Sequence, residues 1–300
     1  MYPLLSSLFL FVCGFLTLIG LIFNGFVVII NCIWWLQCKK IQTVDIIITS
    51  LGLARFFLLV TEIFNVNFLI LIPLESKTKP IAETFLALSE FLTFCSIWFA
   101  TLLCVFYCVK ITSYNYRLFI YVKLNISSMF PWLYLVSVAA SFITSVPSLL
   151  SALQFHIVYF TNDFSNTSEE EIHVNINMID QFATDIIGSS LPLPIFCLAI
   201  SLLIRSLWNH TRNMTSKDSG FHNPDIEAHF SAVKNLLSFL FFHILYFVAV
   251  NLWSFVIETK SEMWLSVLYI VYMAYPSLHT VILIFSNIKL KQALVSLSFK

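Results

Sequence analysis

Seven long apolar stretches, at about 4–36, 44–72, 85–109, 128–153, 181–207, 230–257 and 263–286, dominate this chain. Each reaches the ~20 residues a helix needs to cross a hydrocarbon core about 30 Å thick. The backbone must satisfy its own polar groups there, and stretches of this length do so as helices. The prediction is an all-α integral membrane protein, a seven-transmembrane helix bundle. Twelve of the sixteen basic residues fall in alternate gaps. They are Lys39 and Lys40; Lys110, Arg117 and Lys123; Arg205, Arg212, Lys217 and Lys234; and Lys289, Lys291 and Lys300. Lys77, Lys79 and Lys260 lie on the other side, and Arg55 lies inside a span. Lys and Arg mark the cytoplasmic face, which puts the amino terminus outside and the carboxyl terminus in the cytoplasm.

Only 11% of the residues are charged, against about a quarter in soluble proteins. Residues 1–300 read as a single domain with short connections, an outer loop at 154–180 and a cytoplasmic tail at 287–300. The first apolar stretch lacks a basic leader and is too long for a signal peptide, so it is expected to remain as a helix. None of the seven cysteines falls in an outer loop, where an oxidising compartment would favour a disulfide. Of four glycosylation sequons, at Asn125, Asn166, Asn209 and Asn213, only Asn166 is expected on the outside.

Polar residues inside the spans carry the functional information, because a charge at the bilayer centre costs at least ~2.5–3.5 kcal/mol. Arg55 lies ~16 Å into the second span at helical rise and must find acceptors within the bundle. Asn24 and Ser277 are its expected partners. Glu62 and Asn65 follow seven and ten residues later, on the same helical face. Ser89, Glu90, Thr93 and Phe94 in the third span, His243, Tyr246 and Phe247 in the sixth, and Tyr269, Tyr272 and Pro276 in the seventh converge on the same outer half. A mostly apolar cavity with a few polar groups is the usual form of a small-molecule site. His243 reads more readily as a neutral hydrogen-bonding group than as a proton sensor. No HExxH, GxSxG or phosphate-cradling glycine loop occurs, so neither an enzyme nor a metal or cofactor site is expected. Nucleic acid is not an expected partner; the lipid bilayer is.

The ends of the spans carry specific motifs. Residues 102–111 read LLCVFYCVKI, and 203–211 read LIRSLWNHT. Ala228, His229, Ala232, Lys234 and Ser238-Phe239-Leu240 follow, then Tyr275-Pro276-Ser277-Leu278-His279 and Asn287-Ile288-Lys289-Leu290-Lys291. These resemble the LLxxFYxxKI, LLIxSLxxHT, AHxxAxKxxxSFL and YPSxH…NxKLK signatures of the type 2 taste receptors, the bitter receptors among the G-protein-coupled receptors. Asn24 and the Leu53-Ala54-Arg55 segment match as well, whereas the rhodopsin-like DRY and NPxxY motifs are absent.

The resemblance implies a plasma-membrane receptor for small bitter molecules, coupled to a heterotrimeric G protein of gustducin or inhibitory type. It puts ligand contacts at Ser89, Glu90, Thr93, Tyr246, Tyr269 and Tyr272, to which the face reading adds Phe94, Glu62 and Asn65. Asn24, Arg55, His243, Pro276, Ser277 and His279 form the expected activation network. Tyr107, Lys110, His210, His229 and Lys234 are the expected G-protein contacts. The chain departs from the family where many members have Trp at Ser89 and Asn at Thr93. The rival readings are a pheromone-type vomeronasal receptor and a small-solute transporter.

Overall fold

The computed structural model describes residues 3–39, 42–70, 79–112, 117–165, 186–215, 224–259 and 261–298. They form α1 (Pro3–Cys38), α2 (Thr43–Ile70), α3 (Lys79–Ile111), α4 (Arg117–Ser165), α5 (Pro192–Thr215), α6 (Pro224–Thr259), α7 (Glu262–Ser286) and α8 (Ile288–Ser298). A further helical turn at 186–190 runs into α5 through Leu191. Seven of these helices are long and apolar enough to cross a membrane, and no strand occurs among the described residues. Pro192 and Pro224 each open a helix, where a missing N–H costs nothing.

Two connections carry helix that hydropathy did not show. The outer loop expected from 154 begins as helix, because α4 continues to Ser165. No Pro or Gly lies between 148 and 165 to stop it, and hydropathy registers only where the chain meets lipid. The expected tail likewise contains α8. Asn287 ends α7 and starts α8 by accepting the Leu290 amide on its side-chain oxygen at 3.2 Å. This is the ordinary work of an N-cap.

Neighbouring helices close a ring in which α1 packs on both α2 and α7, and α6 packs on α7. α3 runs through the middle and touches α2, α4, α5 and α6. Its most apolar window is 78% buried, while that of α4 is 17% buried and faces outward with Leu124 and Trp132. The helices alternate in direction. Asp45 at the start of α2 pairs with Lys289 beyond α7 at 2.8 Å, and Glu62 near the end of α2 meets Tyr269 near the start of α7. We call the Lys289 side the basic end and the Glu62 side the far end.

One close approach depends on glycine. A methyl group at Gly20 would stand 2.4 Å from Leu59 and 2.5 Å from the Ser277 hydroxyl, so α1 reaches α2 and α7 only without a side chain there.

Candidate functional site

Arg55 is fully buried at mid-bundle and ties three helices together. Its Nε donates to Ser96 Oγ on α3 at 2.9 Å. One Nη donates to His279 Nδ1 at 2.7 Å and to Thr280 Oγ1 at 3.2 Å, both on α7. The guanidinium also stands 5.0 Å from the centre of the Tyr275 ring. Because a guanidinium only donates, His279 must accept at Nδ1 and carry its proton on Nε2. Asn24 is not a direct partner of Arg55, contrary to expectation. It accepts from Thr280 at 2.9 Å and donates to the Pro276 carbonyl at 3.3 Å, one bond removed from the charge. The Ser277 hydroxyl is buried and has no hydrogen-bond partner among the described residues. Its place is taken by Thr280, one helical turn after Pro276.

A second polar cluster lies two turns farther along α2. Glu62, 4% exposed, accepts from Tyr269 at 2.7 Å, from Tyr272 at 3.1 Å and from Asn65 at 3.4 Å. Asn65 also donates to Ser89 at 3.3 Å, and Thr93 shares a hydrogen bond with Tyr272 at 3.3 Å. Six of the expected ligand residues thus meet in one network across α2, α3 and α7. The spacing explains it: 62 and 65 share a face of α2, 89 and 93 share a face of α3, and 269 and 272 share a face of α7.

The other two expected α3 residues point elsewhere. Glu90 accepts a hydrogen bond from Ser148 of α4. Phe94 is buried against Gly188, where a Cβ would stand 2.4 Å from the ring. They follow Ser89 and Thr93 by one residue, and one residue is a 100° turn of the helix.

Aromatic rings connect the two clusters. Tyr269, Tyr272, Tyr246 and Tyr275 follow one another at centroid separations of 5.9, 5.8 and 5.7 Å. Tyr275 lies beside Arg55 and next to Phe239, and Phe239 touches both His279 and His243. His243 is 1% exposed and its Nε2 lies 3.2 Å from the Ser189 carbonyl ahead of α5. Contact therefore runs without a break from Glu62 to Arg55 and into α6.

At the basic end, a cavity of about 1340 Å³ opens among α1, α2, α3, α6, α7 and α8. Tyr107 and Lys110 line it. Lys234 stands exposed on α6. The Lys289–Asp45 pair borders it, with Lys289 5.0 Å from the Trp34 ring centre. His210 and His229 lie outside the described side chains, and Asn166 lies outside the described residues. All seven cysteines are free thiols.

Ser96, Thr280, Ser148 and Asp45 join these contacts without having been expected from the sequence. Ser96 lies seven residues after Ser89, so the same stripe on α3 pointed to it. Asp45 carried a weaker signal as the acid in the first turn of its helix. Ser148 has no such mark among the serines of α4.

The family described as "Taste receptor protein (TAS2R)" matches residues 1–299. Human taste receptor type 2 member 2 is 32% identical over 275 residues, covering 91% of this chain and 90% of the relative. Chicken member 40 is 31% identical over 99% of this chain and 96% of its own length. Mouse member 39 is 34% identical over 90% and 84%. The whole-length match selects one reading over the vomeronasal and transporter alternatives. Seven spanning helices and these relatives make the chain a multi-pass plasma-membrane protein and a G-protein-coupled receptor, not an enzyme. It belongs to the type 2 taste receptor family, the bitter taste receptors.

Proposed function

We propose that a small bitter molecule binds at the far end, in the network of Glu62, Asn65, Ser89, Thr93, Tyr269 and Tyr272, with Tyr246 below it. The far end faces outward and the basic end faces the cytoplasm, as the distribution of Lys and Arg implies. The carrying observation is that the Glu62 carboxyl group is buried and held by hydroxyl and amide donors, with no basic group among its described bonded partners. An incoming amine, amide or hydroxyl offers the same kind of donor and can replace a tyrosine at that carboxyl group.

Such a replacement releases Tyr269 or Tyr272 and disturbs the row of rings that ends at Arg55 and Phe239. Signalling then follows from population. A ligand shifts the resting–active balance only as far as it prefers the active arrangement, with ~1.4 kcal/mol worth tenfold. His243 and Tyr246 carry the change into α6, and the basic end opens to a gustducin or inhibitory-type G protein. Tyr107, Lys110 and Lys234, with His210 and His229 on α5 and α6, meet the G protein there. Asn166 carries the glycan outside.

The test is expression with a taste-type G protein and calcium recording against a broad panel of bitter compounds. A dose-dependent signal that Tyr107→Ala abolishes at unchanged surface level is the expected outcome. Normal signalling by both Tyr107→Ala and Lys110→Ala would remove the assigned G-protein face.

A further inference from the structure

We propose that His243 is a positioning residue for the agonist response: its ring holds the helical turn at 186–190 in place ahead of α5. That turn backs Phe94 behind the far-end ligand network proposed above, and the role of His243 rests on that network being the agonist site.

The turn is poorly joined to the helix that follows it. Pro192 and Pro194 have no N–H, so the Gly188 and Ser190 carbonyls receive no bond from the residue four positions on. The helix is interrupted at Leu191, whose amide closes back onto the Ile187 carbonyl at 3.1 Å. Within a membrane such a break persists because neighbouring helices supply partners to the backbone. His243 of α6 supplies one. Its Nε2 lies 3.2 Å from the carbonyl of Ser189, a fully buried residue between the two interrupted positions. A carbonyl only accepts, so Nε2 carries the ring hydrogen and donates it. On the other side of the break, Phe196 of α5 meets Phe239 of α6 with 4.7 Å between ring centres. The chain is thus fastened to α6 by packing after the prolines and by a directed hydrogen bond before them.

Phe94 connects the turn to the ligand network. Gly188 presents bare backbone to the Phe94 ring, with no room for a Cβ between them, so the ring rests on the turn itself. Phe94 directly follows Thr93, which shares its 3.3 Å hydrogen bond with Tyr272. A shift of the turn moves the ring beside Thr93 and, with it, the α3 side of the Glu62 network. His243 is not among the described partners of Glu62, so it acts on that network through the turn.

The amide nitrogen of a glutamine reaches as far as the histidine Nε2, and that of an asparagine only as far as Nδ1. His243→Gln and His243→Asn therefore separate the tether from polarity alone, and His243→Phe keeps a ring without a donor. Hydrogen exchange is followed by mass spectrometry on the purified full-length protein, over the peptide that contains Leu191. Exchange is expected to rise about tenfold in the Asn and Phe variants and to stay within about twofold of the parent in the Gln variant. Exchange as fast with Gln as with Asn would overturn the proposal, and so would a Phe variant that exchanges like the parent. At equal surface level, the EC50 of an agonist found in the bitter panel is expected to rise about fivefold with Asn and with Phe and to stay near the parent value with Gln. Faster exchange at unchanged EC50 would also overturn it, reducing His243 to a structural contact. The exchange measurement contains no agonist and no G protein, so its failure is separable from failure of the proposed function.

Discussion

Arg55 and Glu62 lie seven residues apart on one face of α2, and each is almost inaccessible, yet the bundle holds them in different ways. Arg55 is held by an imidazole, two hydroxyls and an aromatic face from α3 and α7, and its carriers are in turn fixed by Asn24 and the Pro276 carbonyl. Its bonded partners are all side chains of the helix core, locked by packing. Glu62 is held by the tips of two tyrosines and by Asn65, which also has Ser89 to bond. On the proposed reading, a ligand group of the same kind replaces a tyrosine hydroxyl there. The contrast sets a clamp across three helices against a network of side-chain tips in which the ligand is proposed to bind.

That contrast can be broken most severely at the clamp. His279→Phe keeps the ring and removes the acceptor at 2.7 Å from a fully buried guanidinium. Bonds to charged groups are worth about 1.5–3 kcal/mol, so a drop of that order is expected in thermal unfolding, with loss of surface expression. Gly20→Ala comes next. The added methyl group presses on Leu59 and Ser277 and is expected to cost about 1–3 kcal/mol, read in the same melt.

Smaller effects should appear on signalling rather than stability. Tyr272→Phe removes the bond to Glu62 and the link to Thr93 but keeps the ring in the aromatic row. An EC50 shift of about three- to tenfold at constant surface level is expected, matching ~0.5–1.5 kcal/mol for one neutral hydrogen bond. Asp45→Asn unties α8 from α2 at a half-buried pair, where about 0.2–1 kcal/mol is at stake. The destabilisation should shrink as salt is raised. Ser277→Ala is expected to be nearly silent in unfolding, within about 0.5 kcal/mol, since the deleted hydroxyl makes no bond among the described residues. A large loss there would show that the Arg55 clamp reaches farther than its visible bonds.

The legible parts of this molecule are those on which the membrane imposes a pattern. Hydropathy revealed seven spans because lipid demands about twenty apolar residues each time. Glu62, Asn65, Ser89 and Thr93 were readable because buried polar groups at helical spacing share a face. The identity of Arg55's partners was not, since Asn24, Ser277 and Thr280 are all polar and close, and only side-chain direction separates them. Glu90 and Phe94 face Ser148 and Gly188 instead of the Glu62 network by the same one-residue rotation. The run of α4 to Ser165 and the presence of α8 escaped because neither depends on lipid. The basic-end cavity is formed by six helices at once, and no local pattern announces it.

Agonist occupancy of the Glu62 network is open to a labelling experiment: Asn65→Cys is introduced, at a half-buried position beside Glu62, and its modification by a membrane-impermeant thiol reagent is timed. A panel-identified agonist is expected to slow labelling of this cysteine over the concentration range that drives signalling. Labelling indifferent to saturating agonist, while the same protein still signals, would contradict it.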